Sequence, residues 1–279
     1  MKIHSLFILI AIVILFASAA GAQNQPIQRI ISLGPVITEE MYLLSSENKL
    51  VGCTSFCQRP PAAKKKEKVG NVQEVNLEKI VALKPDVVLA TELTDPRAQE
   101  KLRSLGIRVI SVPNARNFEE ICDSFLKLGK ILGKENKART IIVEAQKKVD
   151  ALKARLRMAP RVKVFIQVGV NPLVTIGKDS FANDFIELAG GTNVVTEQGY
   201  LQYSKEQVLV SNPDVLLISS MGFEGEHEKK NWEKWVSLNA VKIHKIFIID
   251  QYLLCSPTPI TFVETLKTII RDLHPEMLL

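Results

Sequence analysis

Apolar residues at Ala138, Ile142, Ala145, Val149, Leu152 and Leu156 recur in steps of four and three. Ile141 widens the stripe, and Lys and Arg occupy the other faces. This spacing predicts a helix from about Glu135 to Met158, entered after Gly133 and left at Pro160. At 1.5 Å rise per residue it would run roughly 35 Å, the width of a small domain. The pattern changes on either side of it. On the amino side, buried strands are expected at Arg29–Leu33, Leu50–Thr54, Asp86–Ala90 and Ile107–Val112. Helices fall between them at Thr38–Leu44, with Thr38 placed as its cap, at 77–83 and at Pro96–Leu105. On the carboxyl side, strands at Val162–Val168, Asn193–Val195, Asp214–Ser219 and Lys245–Asp250 alternate with helices at 180–189, 204–210 and Pro259–Leu273. Thr196–Tyr203 reads as a loop.

Strands separated by helices imply mostly parallel sheets with helices on their faces. The expected fold is therefore α/β: two Rossmann-like lobes, joined by a single long α-helix, with a ligand cleft between them. The alternative is a long surface helix within one domain. An internal echo favours two related lobes. The stretch from Asn76 to Leu89 aligns without gaps on Ser204 to Leu217, an offset of 128 (204 minus 76) that superposes Glu78 on Glu206 and Pro85-Asp86-Val87 on Pro213-Asp214-Val215. In open parallel sheets ligands sit beyond the carboxyl ends of the strands, so two such lobes would turn their strand-end loops toward one shared crevice.

Composition narrows the class. The 279 residues are 46% hydrophobic and 24% charged, as in a folded protein. The net charge of +6 is concentrated in Lys64-Lys65-Lys66, Lys229-Lys230 and the long helix, without interleaved aromatics, which argues against nucleic acid as a partner. Lys2 and His4 precede an apolar run from Leu6 to Phe16 and small residues ending at Ala22, the pattern of a cleaved secretory leader. The expected layout is a leader at 1–22, a first lobe at 23–133, a linker at 134–159 and a second lobe at 160–279. The mature protein is expected to be an exported, soluble monomer. Of four cysteines, only Cys53 and Cys57 are close in sequence, and a bridge between them is left open.

Several short motifs carry a family resemblance. Arg29-Ile30-Ile31-Ser32-Leu33-Gly34-Pro35 with Thr38-Glu39, then Val51-Gly52, Pro60-Pro61, Val69-Gly70, and Asn76-Leu77-Glu78 with Ala82-Leu83-Lys84-Pro85-Asp86, resemble the helical-linker class of ABC transporter substrate-binding proteins. That class binds vitamin B12 and iron–siderophore complexes. Gln167-Val168-Gly169, Asn171-Pro172, Gly177-Lys178 and Ser204 to Leu209 are similar to its vitamin B12-binding branch. The resemblance implies periplasmic capture of cobalamin or a related corrinoid for delivery to the transmembrane subunits of an ABC importer. It implies no resident cofactor and no catalysis. It also implies that Glu78 and Glu206, one per lobe, dock onto basic residues of the permease. Each acid stands in the first turn of its helix, where it also complements the macrodipole.

For the ligand, the resemblance points to Phe56, Tyr200 and Tyr252 as aromatic surfaces, Asp250 as a polar contact, and Val72 and Val168 as further lining. Val72, Val168, Val174, Leu253 and Leu254 stand where better-known members have aromatic or charged groups. Another corrinoid, haem or an iron–siderophore complex therefore stays open as cargo. Arg59, Arg97 and Arg116 lie in first-lobe loops, and the Arg fork suits an anionic siderophore. Direct metal capture is not expected: His227, His244 and His274 are the histidines after the leader, and none is at ligand spacing. An exported α/β hydrolase is the contrasting class. The chain lacks Gly-x-Ser-x-Gly, a P-loop, a Gly-x-Gly-x-x-Gly turn and His-Glu-x-x-His.

Overall fold

The computed structural model describes residues 26–219 and 224–277, so the leader expected at 1–22 lies outside the described residues. The first lobe is a four-stranded sheet in the order β2-β1-β3-β4. Its strands are β1 (Ile30–Ser32), β2 (Leu50–Cys53), β3 (Val87–Thr91) and β4 (Val109–Val112), and every pairing is parallel. Helices α1 (Pro35–Leu43), α2 (Leu77–Ala82) and α3 (Pro96–Ser104) connect them. β1 and β3 are buried throughout, which is why their sequences are apolar runs rather than alternations. Helix α1 starts three residues earlier than its expected cap. Pro35, with φ preset and no N–H to satisfy, opens the helix, and Thr38 is a buried interior residue whose hydroxyl donates to Ser32 Oγ at 2.9 Å.

Two helices join the lobes. α4 (Phe118–Leu132) turns at Gly133, which holds φ +70°, into α5 (Glu135–Arg155), the long helix read from the sequence. A Cβ at Gly129 would stand 2.7 Å from that of Ala138, so this small pair sets how closely the two helices approach. Each helix contributes to both cores. Phe125, Leu128, Leu132 and Ala138 pack with Ile30, Met41 and Leu50 of the first lobe. Phe118, Ile121, Ala145, Val149 and Leu152 pack with Val164, Phe185 and Phe262 of the second. The Phe262 ring stacks on Phe185 at 4.1 Å and tilts against Phe118 at 4.7 Å, and the Phe118 N–H donates to Asp184 Oδ2 at 2.7 Å.

The second lobe is built on β5 (Val162–Val170), β6 (Leu173–Ile176), β7 (Gly191–Asn193), β8 (Tyr200–Gln202), β9 (Val215–Ser219) and β10 (Ile246–Ile249). The sheet runs β10-β9-β5-β6-β8, with β7 pairing the start of β5. β9 and β10 run parallel to β5, whereas β6 pairs antiparallel with β5 and β8 antiparallel with β6. β8 falls within the stretch read as a loop, and β6 in a stretch where the sequence pattern predicts no strand. β6 depends on the edge of β5 and β8 on the edge of β6, not on a local apolar pattern. Helices α6 (Phe181–Leu188), α7 (Lys205–Ser211), α8 (Gly225–Glu233), α9 (Asn239–Lys242), α10 (Gln251–Cys255) and α11 (Pro259–Leu273) complete the lobe.

The internal echo has a physical content. The Asn76 side chain caps α2 by accepting from the Lys79 N–H, and Ser204 caps α7 with a capping box to Gln207. Each helix is followed by a residue of positive φ, Lys84 at +47° and Asn212 at +43°. An aspartate then clips the first strand of its own lobe. Asp86 Oδ2 accepts from the Gln28 and Arg29 N–H groups at 2.7 and 2.8 Å, and Asp214 Oδ2 from the Lys163 N–H at 2.9 Å.

Candidate ligand-binding site

The carboxyl ends of β1, β3 and β4 deliver Val36, Thr91 and Pro113 to one side of a pocket between the lobes. Phe181 and Cys255-Ser256-Pro257 of the second lobe form the other side, and Ile121 and Ser124 of α4 stand between. The pocket has a cavity volume of ≈ 80 Å³, with a mostly apolar wall, and opens to solvent. This is the placement expected of a ligand site in open α/β sheets, but the space is far smaller than the ~300–1,000 Å³ typical of small-molecule sites.

The two lobes also touch through residues outside the lining of this pocket. The Tyr252 hydroxyl donates to the Phe56 carbonyl at 3.2 Å. The Arg59 guanidinium lies 5.0 Å from the centre of the Tyr252 ring, a cation–π distance. Asp250 makes this geometry. Its Oδ1 accepts the N–H groups of Tyr252 and Leu253 at 2.8 and 3.2 Å, starting α10 and fixing where Tyr252 points. Arg59 Nη2 is 3.3 Å from Glu39 Oε2, but neither Nη2 nor Nε has a hydrogen-bond partner among the described residues. Burial raises the Glu39 carboxyl above its ordinary value, against the pull of Arg59.

The loop that carries Phe56 and Arg59 is pinned from beneath. Lys68 Nζ donates to the Ala63 carbonyl at 3.0 Å, to Cys53 Sγ at 3.2 Å and to the Cys57 carbonyl at 3.3 Å. Cys57 Sγ accepts from the Thr38 hydroxyl at 3.1 Å and lies 3.2 Å from that of Thr54. Cys53 and Cys57 are buried free thiols. The hydrogen bond from Cys53, with those of Thr38 and Thr54, draws the Cys57 thiol down to about 6, while the same contact and burial push Cys53 up.

Among the residues expected to meet a ligand, the structure brings Phe56 and Tyr252 together across the lobes. Phe56 is 53% exposed, free to present its ring. Tyr200, on β8, is 71% exposed. Val72 is half-buried in the loop where the Asn71 side chain accepts from the Gln73 and Glu74 N–H groups, outside the lining of the interlobe pocket. Val168, at 4% exposure, is part of the second core, where β5 turns that face inward. Asp250 acts on the geometry as a helix cap. Glu78 and Glu206 are both exposed, in the first turns of α2 and α7.

One residue escaped the sequence reading. Glu40 lines the pocket and is 3% exposed. Its signal was present: it falls on the buried face of α1, four residues after Val36 and four before Leu44, where the pattern calls for an apolar side chain.

The profile of the periplasmic binding protein family matches residues 30–253. The chain belongs to that family. A vitamin B12-binding protein of Vibrio cholerae is 30% identical over 243 residues, covering 86% of this chain and 87% of that protein. An uncharacterized ABC transporter substrate-binding lipoprotein of Bacillus subtilis, YvrC, is 30% identical over 257 residues, covering 89% and 81%. Among solved structures, the periplasmic vitamin B12 binding protein BtuF of Vibrio cholerae matches with a TM-score of 0.78 at 29% identity, over 89% of this chain and 97% of that one. A periplasmic heme binding protein from Pseudomonas aeruginosa reaches a TM-score of 0.82 at 24% identity, over 90% and 94%, a likeness of fold alone.

Proposed function

We propose that this protein is the periplasmic substrate-binding component of an ABC importer, and that its cargo is cobalamin or a related corrinoid. The observation that carries the reading is the meeting of Phe56 and Tyr252 from opposite lobes, in a fold that also holds an apolar pocket between the lobes. Aromatic faces on both sides of a cleft suit a flat macrocycle. The vitamin B12-binding relatives support the same cargo. A corrin is larger than the space now enclosed, so binding parts the lobes, breaks the Tyr252–Phe56 bond and frees both rings. Tyr200 then joins them from β8. In this reading a cleaved leader exports the chain, the boundaries fall near 22, 133 and 159, and the corrinoid is cargo, not a cofactor. Exposed Glu78 and Glu206, held at equivalent places by the two copies of the repeat, dock on the permease.

A second reading has its own observation. Arg59 Nε, which has no partner among the described residues, favours an anionic guest such as a ferric siderophore or haem. Calorimetric titration of the purified protein with cyanocobalamin, haemin and ferric citrate separates the two. Saturable binding of cyanocobalamin in preference to the others is expected. Preference for either anionic ligand overturns the corrinoid assignment.

A further inference from the structure

Glu40 contributes nothing visible to holding the fold. Among the described residues no hydrogen bond or ion pair reaches its carboxyl, although the residue is 3% exposed. Its oxygens are not among the fully enclosed unpartnered atoms, so they reach the pocket, and their partner is whatever occupies it, water or a guest group that displaces the water. The groups around it narrow the chemistry of that partner. Glu39 is the adjacent charge and has the same sign, and Glu264 adds a further negative charge near Glu39. Burial, reinforced by Glu39, pushes the Glu40 acid well above the usual carboxylate range and favours its neutral form. A neutral carboxylic acid presents an O–H donor and a carbonyl acceptor side by side. A primary amide presents the complementary pair. A carboxylate has no donor for the Glu40 carbonyl and would bring another negative charge toward Glu39.

We propose that Glu40 is a specificity determinant that pairs with a neutral primary amide on the edge of the cargo, so that the pocket prefers an amidated macrocycle to one bearing carboxylates. The inference rests on the corrinoid reading above and deepens it: the corrin of cobalamin carries amides at its rim, where haem carries carboxylates.

Dicyanocobinamide and dicyanocobyrinic acid share the corrin ring and differ in having rim amides or rim carboxylates. Both are titrated into the full chain and its E40Q and E40L variants, with circular dichroism confirming the fold of each. The wild-type chain is expected to bind dicyanocobinamide at least tenfold more tightly than the acid. E40Q, which keeps a donor beside an acceptor, retains that affinity within about threefold. E40L loses about tenfold for dicyanocobinamide and leaves the acid unchanged. If E40L binds dicyanocobinamide as tightly as the wild-type chain, the role of Glu40 is refuted while the corrinoid reading stands. If the wild-type chain takes neither corrin, the corrinoid reading fails and the Glu40 assignment with it.

Discussion

Tyr252 and Phe56, 196 residues apart in the chain, meet across the two lobes through a hydroxyl-to-carbonyl hydrogen bond of 3.2 Å. The contact ties the first lobe to the second. It is made of the same residues that the resemblance assigns to the ligand, so closure and binding compete for Tyr252.

That competition gives a first prediction. Tyr252→Phe removes one neutral hydrogen bond, about 1 kcal/mol net, and keeps the ring. Stopped-flow association of cyanocobalamin should accelerate about fivefold, since that is the population factor for ~1 kcal/mol. Tyr252→Ala should weaken equilibrium binding by about tenfold or more because the stacking face is gone. An unchanged association rate in Tyr252→Phe would exclude the bond as a latch.

The periodicity that exposed the long helix also exposed the two-lobed plan, because α5 carries one uninterrupted stripe that both cores use. The strands of the first lobe were legible for a related reason: buried parallel strands are plain apolar runs. The echo at Glu78 and Glu206 was readable because capping residue, left-handed residue, proline and aspartate each do a local job. Interactions between distant segments were not legible. The role of α4 in both cores depends on where Gly133 sends the chain back, β6 depends on the edge that β5 offers it, and β8 on the edge of β6. The cap at Thr38 was misassigned because Pro35 supplies a competing start. Glu40 carried a signal, a charge on an apolar face, but only the enclosing pocket shows that no partner meets it.

Glu40 also has a stability consequence, separate from its role in binding. An unpartnered buried polar group costs about 1–3 kcal/mol, so Glu40→Leu should raise the thermal midpoint by a few degrees even if it weakens the cargo. The pH dependence has a definite sign. The folded-state value is raised above the ordinary 4.5, so the contribution of Glu40 is fully present below that value and is lost as pH rises through the folded one. The titratable groups set around it are Glu39 on its own helix, Cys122 on α4 and Cys255 across the pocket. Urea denaturation from pH 4.5 upward should show a decline that is shallower in Glu40→Gln. An equal slope in both proteins would mean that Glu40 titrates normally.

Lys68 is predicted to hold the cleft loop in place. Its ammonium donates to two carbonyls and one sulfur, spanning Cys53 to Ala63. Lys68→Met keeps the aliphatic stem and removes all three donors, and should lower stability by about 2 kcal/mol, read as a reduced urea midpoint at unchanged slope. Phe56 sits within the released segment, so cyanocobalamin affinity should fall several-fold in the same variant. A stability loss with affinity intact would show that Phe56 is positioned by other contacts.

The last prediction concerns the two acids that the repeat places alike. Glu78 and Glu206 are exposed, each in the first turn of a capped helix that ends in a left-handed residue and an Asp-clipped strand. The Glu206 carboxyl is held below its ordinary range by its own backbone N–H and by Ser204. Neither lines the interlobe pocket, so charge reversal should leave cargo binding unchanged. Exposed substitutions of this kind usually shift stability by no more than about 0.5 kcal/mol, apart from a small macrodipole loss. A permease that presents basic residues would instead face repulsion at two points. Glu78→Lys with Glu206→Lys should therefore bind cyanocobalamin like the parent in calorimetry and fail to support uptake when it replaces the native protein in cells. Each single change should give a partial defect. Normal uptake by the double variant would assign permease contact to other surfaces and leave the two glutamates as helix-terminal charges alone.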